Sequence, residues 1–478
     1  MAKALALSMG RGEWRRPALV AVAAVAIAAA SAQPYAGGWN DGAWLAAVEA
    51  LVDHGTLAID TSIYVDPSRA DPAAPTPYPR HRLQLMTRGT LDKLYIDDHY
   101  YSSRPPVPAL LLAGGYAVLQ QMTGLVAREH PDRFAYVMTL LFVGLPWIVA
   151  MVCTDCLVRR ILPSPLLALG ITASFALATT ALSYTRHVNS HLLLMGIAAA
   201  LMLGLHQLRP AEPDGPRAVA LPAVLGSLAG LGYTVDLGVG PVLVLTLTPL
   251  VVHRVRGARS RPRLAAYLLA AVPWIALHHA VNYSIGGTLI PASAVPTYSR
   301  WPGSPFDEAN LTGRFVHHDP AHVLGYALGL LVGPRGFLLH NPMLLLAAAG
   351  GVALCLRPDL EERSEVLFAA AWSVGTWLLY ALGSVNYGGA SASIRWFLPL
   401  LVPGFFVLSV MLREAPWRAA EFGVLSVGGL VFSIQLWRNG PWLLRGLAGF
   451  WPTVSLTLLA WLACWAWRHR ADRRNIHS

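Results

Sequence analysis

The residues of this chain best suited to chemistry stand in a few polar islands. Asp41 lies in WNDGAW, just after the first apolar run. Lys93, Asp97, Asp98, His99, Tyr100, Tyr101 and Arg104 fall in LDKLYIDDHYYSSRPP. Arg186, His187, Asn189 and His191 crowd into YTRHVNSH, and Asp236 separates two apolar runs. A carboxylate at the start of a helix is either an N-cap or a fixed general base, and the two roles are compatible. Lysine and arginine at headgroup level suit a phosphate or diphosphate. Cleaving an ordinary glycosidic bond takes two carboxylates, because the leaving oxygen must be protonated. A sugar already joined to phosphate needs only one, since phosphate leaves as a stable anion that cations can hold. One base plus several cations is therefore a sufficient set, and a lipid-linked sugar phosphate is the donor that fits a membrane surface.

These residues must be positioned by membrane helices. The 478 residues are 55% hydrophobic and only 13% charged, about half the charge of a soluble domain. A crossing helix takes roughly 20 mostly apolar residues. Runs near 17–33, 134–157, 161–183, 191–207, 218–235, 237–252, 264–282, 339–356, 365–384, 396–412, 419–436 and 449–467 predict about twelve spans. The expected fold is an all-α polytopic membrane bundle, one domain over 1–478.

Charge sets its orientation. If 107–124 lies in the interface, every loop bearing Arg11, Arg15 and Arg16, Arg159 and Arg160, Arg209 and Arg217, Arg254 to Arg263, Arg357 and Arg363, Arg413 and Arg418, or Arg468 to Arg474 falls on one side. Basic loops are cytoplasmic. If 107–124 crosses, the arginines of HRVRGARSRPR land outside and the pattern breaks. Both termini are thus expected in the cytoplasm, with 34–133, 283–338, 184–190, the Asp236 turn, 386–395 (including Tyr387) and 438–446 on the outer face of the plasma (inner) membrane. The spacing of Trp44, Ala47, Val48, Leu51 and Val52 predicts an interfacial helix over 41–54, capped by Asn40 or Asp41.

The net charge of +10 is explained by these loops, and no nucleic-acid partner is implied. Cys153, Cys156, Cys355 and Cys464 lie in or beside apolar runs, so no disulfide framework is expected. CTDC at 153–156 lacks the second pair of a zinc site and reads as helix-end packing. Ala30-Ser31-Ala32 imitates a cleavage site, but the spans that follow favour an uncleaved first helix. His278 and His279 are adjacent and point apart, and HExxH, P-loop and GxSxG motifs are absent. Neither a metal nor a cofactor is expected.

At WNDGAW, LDKLYIDDHYYSSRPP and NYGGASASIRWFLPLL the sequence resembles the multi-spanning GT-C glycosyltransferases, in the bacterial branch related to protein O-mannosyltransferases and aminoarabinose lipid A transferases. The resemblance implies a GT-C-like bundle with interfacial helices in a long first outer loop. It implies a polyprenyl-phosphate-linked sugar as donor, an inverting transfer to a glycan, lipid or protein acceptor, and Asp41 as general base. Lys93 and Arg104 would hold the phosphate, and Arg395 would line the same cavity with the polar residues named above. Protein mannosyltransferases carry an Asp-Glu pair where this chain has Asp41-Gly42, which argues against a protein acceptor of that kind. A transporter or lipid-linked sugar flippase is the alternative. It should show paired, broken helices with charges near mid-membrane, whereas here the ionisable residues sit at span ends.

Overall fold

The computed structural model describes residues 15–208, 216–256, 260–307, 311, 313, 317–443 and 446–476. Arg11, Arg209 and Arg259 lie outside them, as do parts of the 283–338 and 438–446 segments. The chain is a helical, multi-pass membrane protein. Among the described residues, nine helical segments are long and apolar enough to cross a bilayer, with shorter apolar helices between them.

In chain order the principal elements are α1 (Arg15–Ser31), α2 (Trp39–Asp53), β1 (Lys93–Ile96), β2 (His99–Ser102), α3 (Pro106–Thr123), a long α4 (Pro131–Ile161), α5 (Pro165–Leu177), α6 (Ser190–Gln207), α7 (Pro216–Val235), α8 (Val239–Arg254) and α9 (Ser260–Gly286). Then follow α10 (Pro320–Val332), α11 (Leu344–Cys355), α12 (Arg363–Gly383), α13 (Leu401–Glu414), α14 (Ala419–Asn439) and α15 (Phe450–Ile476). A π-turn at Leu140–Gly144 interrupts α4.

Ion pairs show which helix ends share a side. Asp155 near the end of α4 binds Arg16 (2.7 Å) at the start of α1 and Arg159 (3.3 Å). Arg254 at the end of α8 pairs with Glu365 on the first turn of α12. Arg413 on α13 pairs with Glu362, and Arg357 after α11 with Glu414 (2.7 Å). Arg468 on α15 pairs with Glu421 on α14. The basic loops therefore gather at one end of the bundle, where these arginines meet acids of their own or a neighbouring helix. The other end holds Asp41, Arg104, His187, Asp236, Arg395 and Trp442. Helices α1, α4 to α9 and α11 to α15 run between the two ends in alternation; within the described residues, eight of these twelve expected spans are among the long apolar segments, while α1, α5, α8 and α11 are shorter.

Close helix contact is built from glycine. Gly226 and Gly230 on α7 face α9. A Cβ on either would stand 1.9 Å from the Tyr267 carbonyl oxygen or 2.4 Å from that of Ala271. This is the small-xxx-small pattern by which helices pack tightly in lipid.

Two segments depart from expectation. The 283–338 segment, read as a loop, contains α10. Pro320–His340 is apolar and long enough to cross, but it breaks after Val332 at Gly333 and resumes as a short turn at Phe337–His340. His317 before it bonds the Ala381 carbonyl (2.8 Å), Tyr326 donates to that of Asn386, and Arg335 after it donates to that of Gly389 (2.9 Å). The two flanks thus touch the last turn of α12 and the short stretch beyond it, so α10 lies along the site end.

The second departure is the β1–β2 hairpin. KLYI and HYYS pair antiparallel, Lys93 opposite Ser102 and Ile96 opposite His99. Tyrosine and isoleucine favour strands. The tight turn requires positive φ at its central residues, which Asp97 (48°) and Asp98 (65°) supply. Helix α3, the 107–124 segment of the charge argument, is not among the crossing candidates. It leaves the site beside α2, and Tyr116 and Gln120 hydrogen-bond Asp53 at the far end of that helix.

Candidate functional site

Asp41 is fully buried on the first turn of α2. The N-cap of this helix is Gly38, not Asn40 or Asp41. Asp41 caps instead from within the first turn, its Oδ2 accepting from the Gly37 N–H. This resembles the back-reaching half of a capping box. Its Oδ1 is buried and has no hydrogen-bond partner among the described residues. Burial pushes the carboxyl up to about 7, against the opposing pull of the backbone N–H bonds.

Asn40, the neighbouring residue, joins the cations. With its amide oxygen turned toward them, it accepts from Nη1 of Arg104 and from Nη1 of Arg395, each at 2.9 Å. Arg104 also binds Asp92 (3.0 Å) and donates to Ser103 Oγ (2.8 Å). Arg395 lies over the Trp442 ring (5.5 Å), and its buried Nε is unpartnered among the described residues. Two guanidinium groups thus converge on one neutral oxygen, with one carboxylate, Asp92, pairing only one of them. Such a cluster is electrostatically unfinished, and an anion completes it.

Other expected residues fall into three groups. His187 and His191 are buried at the site. His187 Nδ1 is 3.5 Å from Asp41 Oδ2, and burial, reinforced by Arg186, pushes this imidazole down to about 3. His191 lies within electrostatic reach of Arg395 and Arg104. The second group holds the scaffold. Asn189 is the N-cap of α6, accepting from Leu192 N (3.1 Å). Arg186 donates to the Trp437 carbonyl near the end of α14. Asp236 accepts from the N–H groups of Gly238 (2.9 Å) and Val239 (3.0 Å) and from Tyr380 Oη (3.0 Å). Tyr387 packs on Tyr326, 5.1 Å between ring centroids.

The third group belongs to the hairpin and stands apart from Asn40, Arg104 and Arg395. Lys93 is expected with Arg104, but its ammonium lies over the rings of Tyr100 (4.0 Å) and Trp301 (4.8 Å), and burial lowers its proton affinity. Successive side chains of an extended chain point opposite ways, so Asp92 faces Arg104 while Lys93 faces the aromatics. Asp97, Asp98 and His99 are exposed at the tip, a strand's length or roughly 13 Å further along. Asp98 accepts from Tyr95 Oη (2.9 Å), and His99 faces Asp60 (3.3 Å). Tyr101 packs against Leu94, Ile96 and Ala292. These residues shape the hairpin and its seat on the 292–301 segment.

Sequence reading missed Asn40 as a bridge, and missed Asp92 and Trp442 altogether. Asp92 sits one residue from Lys93 and carried a detectable signal, an acid flanking a basic strand. Among the described residues, no three His, Cys, Asp or Glu side chains converge as a metal site.

No family model matches the chain, and no curated protein sequence does. Among solved structures it is similar to ArnT from Cupriavidus metallidurans bound to undecaprenyl phosphate, with 14% identity over 95% of this chain and 76% of that one, TM-score 0.49. The apo state of the same protein gives 14% identity, 94% and 75% coverage and TM-score 0.49. An oligosaccharyltransferase from Archaeoglobus fulgidus gives 12% identity, 94% and 54% coverage and TM-score 0.43. At these identities the likeness is one of chain course and not of residues.

Proposed function

We propose that this protein is a membrane glycosyltransferase that moves a sugar from a polyprenyl-phosphate donor to a hydroxyl acceptor at the outer face of the inner membrane. The observation that carries the reading is the meeting of Arg104 and Arg395 on Asn40, beside a buried Asp41 with one free oxygen. The two guanidinium groups hold the donor phosphate. Asp41 takes the proton of the acceptor hydroxyl as its oxygen attacks the anomeric carbon. The bond from that carbon to the phosphate oxygen breaks, and its electron pair leaves with the phosphate, stabilised by both arginines. Attack opposite the leaving group inverts the anomeric centre. No acid is required, since phosphate leaves as a stable anion, and the second carboxylate here, Asp92, is paired with Arg104. The outward orientation rests on the basic loops collected at the opposite end.

The test is purified protein in lipid, offered a panel of polyprenyl-phosphate sugars. Wild type should release polyprenyl phosphate from at least one, and Asp41→Asn should not, while still binding undecaprenyl phosphate. Wild-type turnover in Asp41→Asn would remove Asp41 from the mechanism.

A further inference from the structure

Among the described residues, Asp92 is the carboxylate that pairs with the converged arginines, its Oδ2 lying 3.0 Å from Arg104 Nη2. Backbone bonds hold it there. Its N–H donates to Thr90 Oγ1 (3.2 Å), and the Thr90 hydroxyl donates to the Trp39 carbonyl (2.7 Å), one residue before Asn40. Its carbonyl accepts from Ser103 N–H (3.2 Å) and from Ser103 Oγ (3.0 Å). Ser103 Oγ in turn accepts from Arg104 Nη2 (2.8 Å). The carboxylate, its guanidinium partner and the first turn of α2 are thus tied into one frame. The Asp92 side chain is 13% exposed, so little water screens its charge from the site.

The charged groups joined through Asn40 and Asp92 sum to one positive. Arg104 and Arg395 bring two charges, and Asp92 takes one back. The field of Asp92 reaches further. It acts on Arg395, and it adds to the burial that pushes Asp41 up to about 7. Asp236 also acts on Arg395, but its Oδ1 is taken up by the Gly238 and Val239 N–H groups and by Tyr380 Oη. His187, pushed down to about 3 by burial, adds no charge. A phosphodiester carries one negative charge and neutralises the sum. A phosphate monoester near neutral pH carries about −1.5 to −2 and exceeds it. Sugar transfer converts the first into the second. Asp41 loses its charge as it takes the acceptor proton, and the phosphate gains one with the electron pair of the broken bond. The total is constant, but negative charge has moved from Asp41 to the phosphate beside Asp92.

We propose that Asp92 is a specificity-determining residue, whose charge tunes the arginine pair to a monoanionic phosphodiester and expels the dianionic monoester that transfer leaves behind. This rests on the transferase reading and names the headgroup its donor site takes, a sugar joined to its lipid through one phosphate. Repulsion from Asp92 scales with the charge it acts on, so it costs a dianion about twice what it costs a monoanion. Without that charge the pair would present two positives, hold the product more tightly than the donor, and accept diphosphate-linked lipids as well. Asp92 therefore gives up some grip on every anion in exchange for discrimination between them and for release of the product.

The experiment measures equilibrium binding to the full chain in nanodiscs of neutral lipid at about pH 8, where a phosphate monoester is dianionic. Its probes share one tail: undecaprenyl phosphate, and the methyl ester of undecaprenyl phosphate, a diester with a single charge. Asp92→Asn should bind the monoester at least roughly ten-fold more tightly than wild type does, and the methyl ester with about the square root of that gain. Asp92→Glu keeps the charge and should keep the wild-type ratio between the two lipids. A purely structural role for Asp92 predicts the reverse, since loss of the Arg104 anchor would weaken both lipids alike in Asp92→Asn. That result, or a gain that is absent or equal for both lipids, overturns the charge role of Asp92 and leaves the phosphate pocket standing. Binding of neither lipid by wild type removes the phosphate pocket itself, and this proposal with it.

Discussion

Arg104 and Arg395, far apart in the chain, bring their Nη1 atoms to within 2.9 Å of one amide oxygen. Like charges do not converge without cause. Asn40 supplies a neutral acceptor that tolerates both and neutralises neither, and with Asp92 paired to Arg104 one positive charge is left for an anion.

Replacing that acceptor tests the point. Asn40→Asp places a carboxylate between the guanidinium groups and satisfies them internally. Affinity for undecaprenyl phosphate should fall by at least about ten-fold while thermal stability holds or rises, since the pair gains its counterion. Asn40→Ala should lower stability instead, by about 1–3 kcal/mol, because two buried donors lose their acceptor. Unchanged lipid-phosphate affinity in Asn40→Asp would contradict the account.

The pH profile carries the signature of Asp41. Burial raises its carboxyl from 3.8 to about 7, and only the ionised form accepts a proton. Transfer rate should therefore climb with pH through about 7 and then level. The same shift has a stability consequence. The folded state holds the proton more tightly than the unfolded chain, so stability is greatest below 3.8 and declines as pH rises toward 7. Asp41→Asn removes this contribution to the decline. A rate profile flat across neutral pH would contradict Asp41 as base.

Much of this architecture is legible in the sequence, because membrane orientation depends on charge in short loops, a local property. The span pattern and the basic end follow from it. The positions of Asp41 and Arg104 beside helix starts are legible as well, while the roles given to them are proposals. The role of Asn40 was not, since it depends on Arg395 arriving from the far end of the chain. Lys93 was misplaced because nearness in sequence to Arg104 outweighed the alternation of an extended strand. The hairpin went unseen because Asp97-Asp98 lacks the glycine that usually announces such a turn. Helix α10 was missed because Gly333 to Gly336 breaks an apolar run that would otherwise declare itself.

Glu49 is a second buried acid on α2, with no ion pair to a cation among the described residues. It accepts from Ser62 Oγ (2.5 Å) and from Ile63 N–H (3.2 Å), and burial pushes it up to about 8. It is protonated in the folded state at neutral pH, so its contribution to stability declines from 4.5 toward 8 as pH rises. Glu49→Gln should flatten that decline in thermal unfolding curves. Glu49→Ala should cost about 1–3 kcal/mol by stranding the Ser62 and Ile63 donors. Equal pH dependence in Glu49→Gln and wild type would show that the acid is ionised.

Packing of α7 on α9 leaves no space for a side chain. Gly226→Val places a Cβ on the Tyr267 carbonyl and should lower thermal stability by several degrees, as overpacking costs about 1–3 kcal/mol. Gly423→Ala, where a Cβ meets nothing within 4 Å, is the control and should be neutral. Wild-type stability in Gly226→Val would contradict the close approach.

The most direct measurement is equilibrium binding of undecaprenyl phosphate to wild type, Arg104→Ala, Arg395→Ala and Asp41→Asn in nanodiscs. Loss of a charge-assisted bond is worth about 1.5–3 kcal/mol, so each arginine variant should bind roughly ten- to hundred-fold more weakly, while Asp41→Asn binds at least as well as wild type. Equal affinity in wild type and both arginine variants would contradict a shared phosphate pocket and end the proposal.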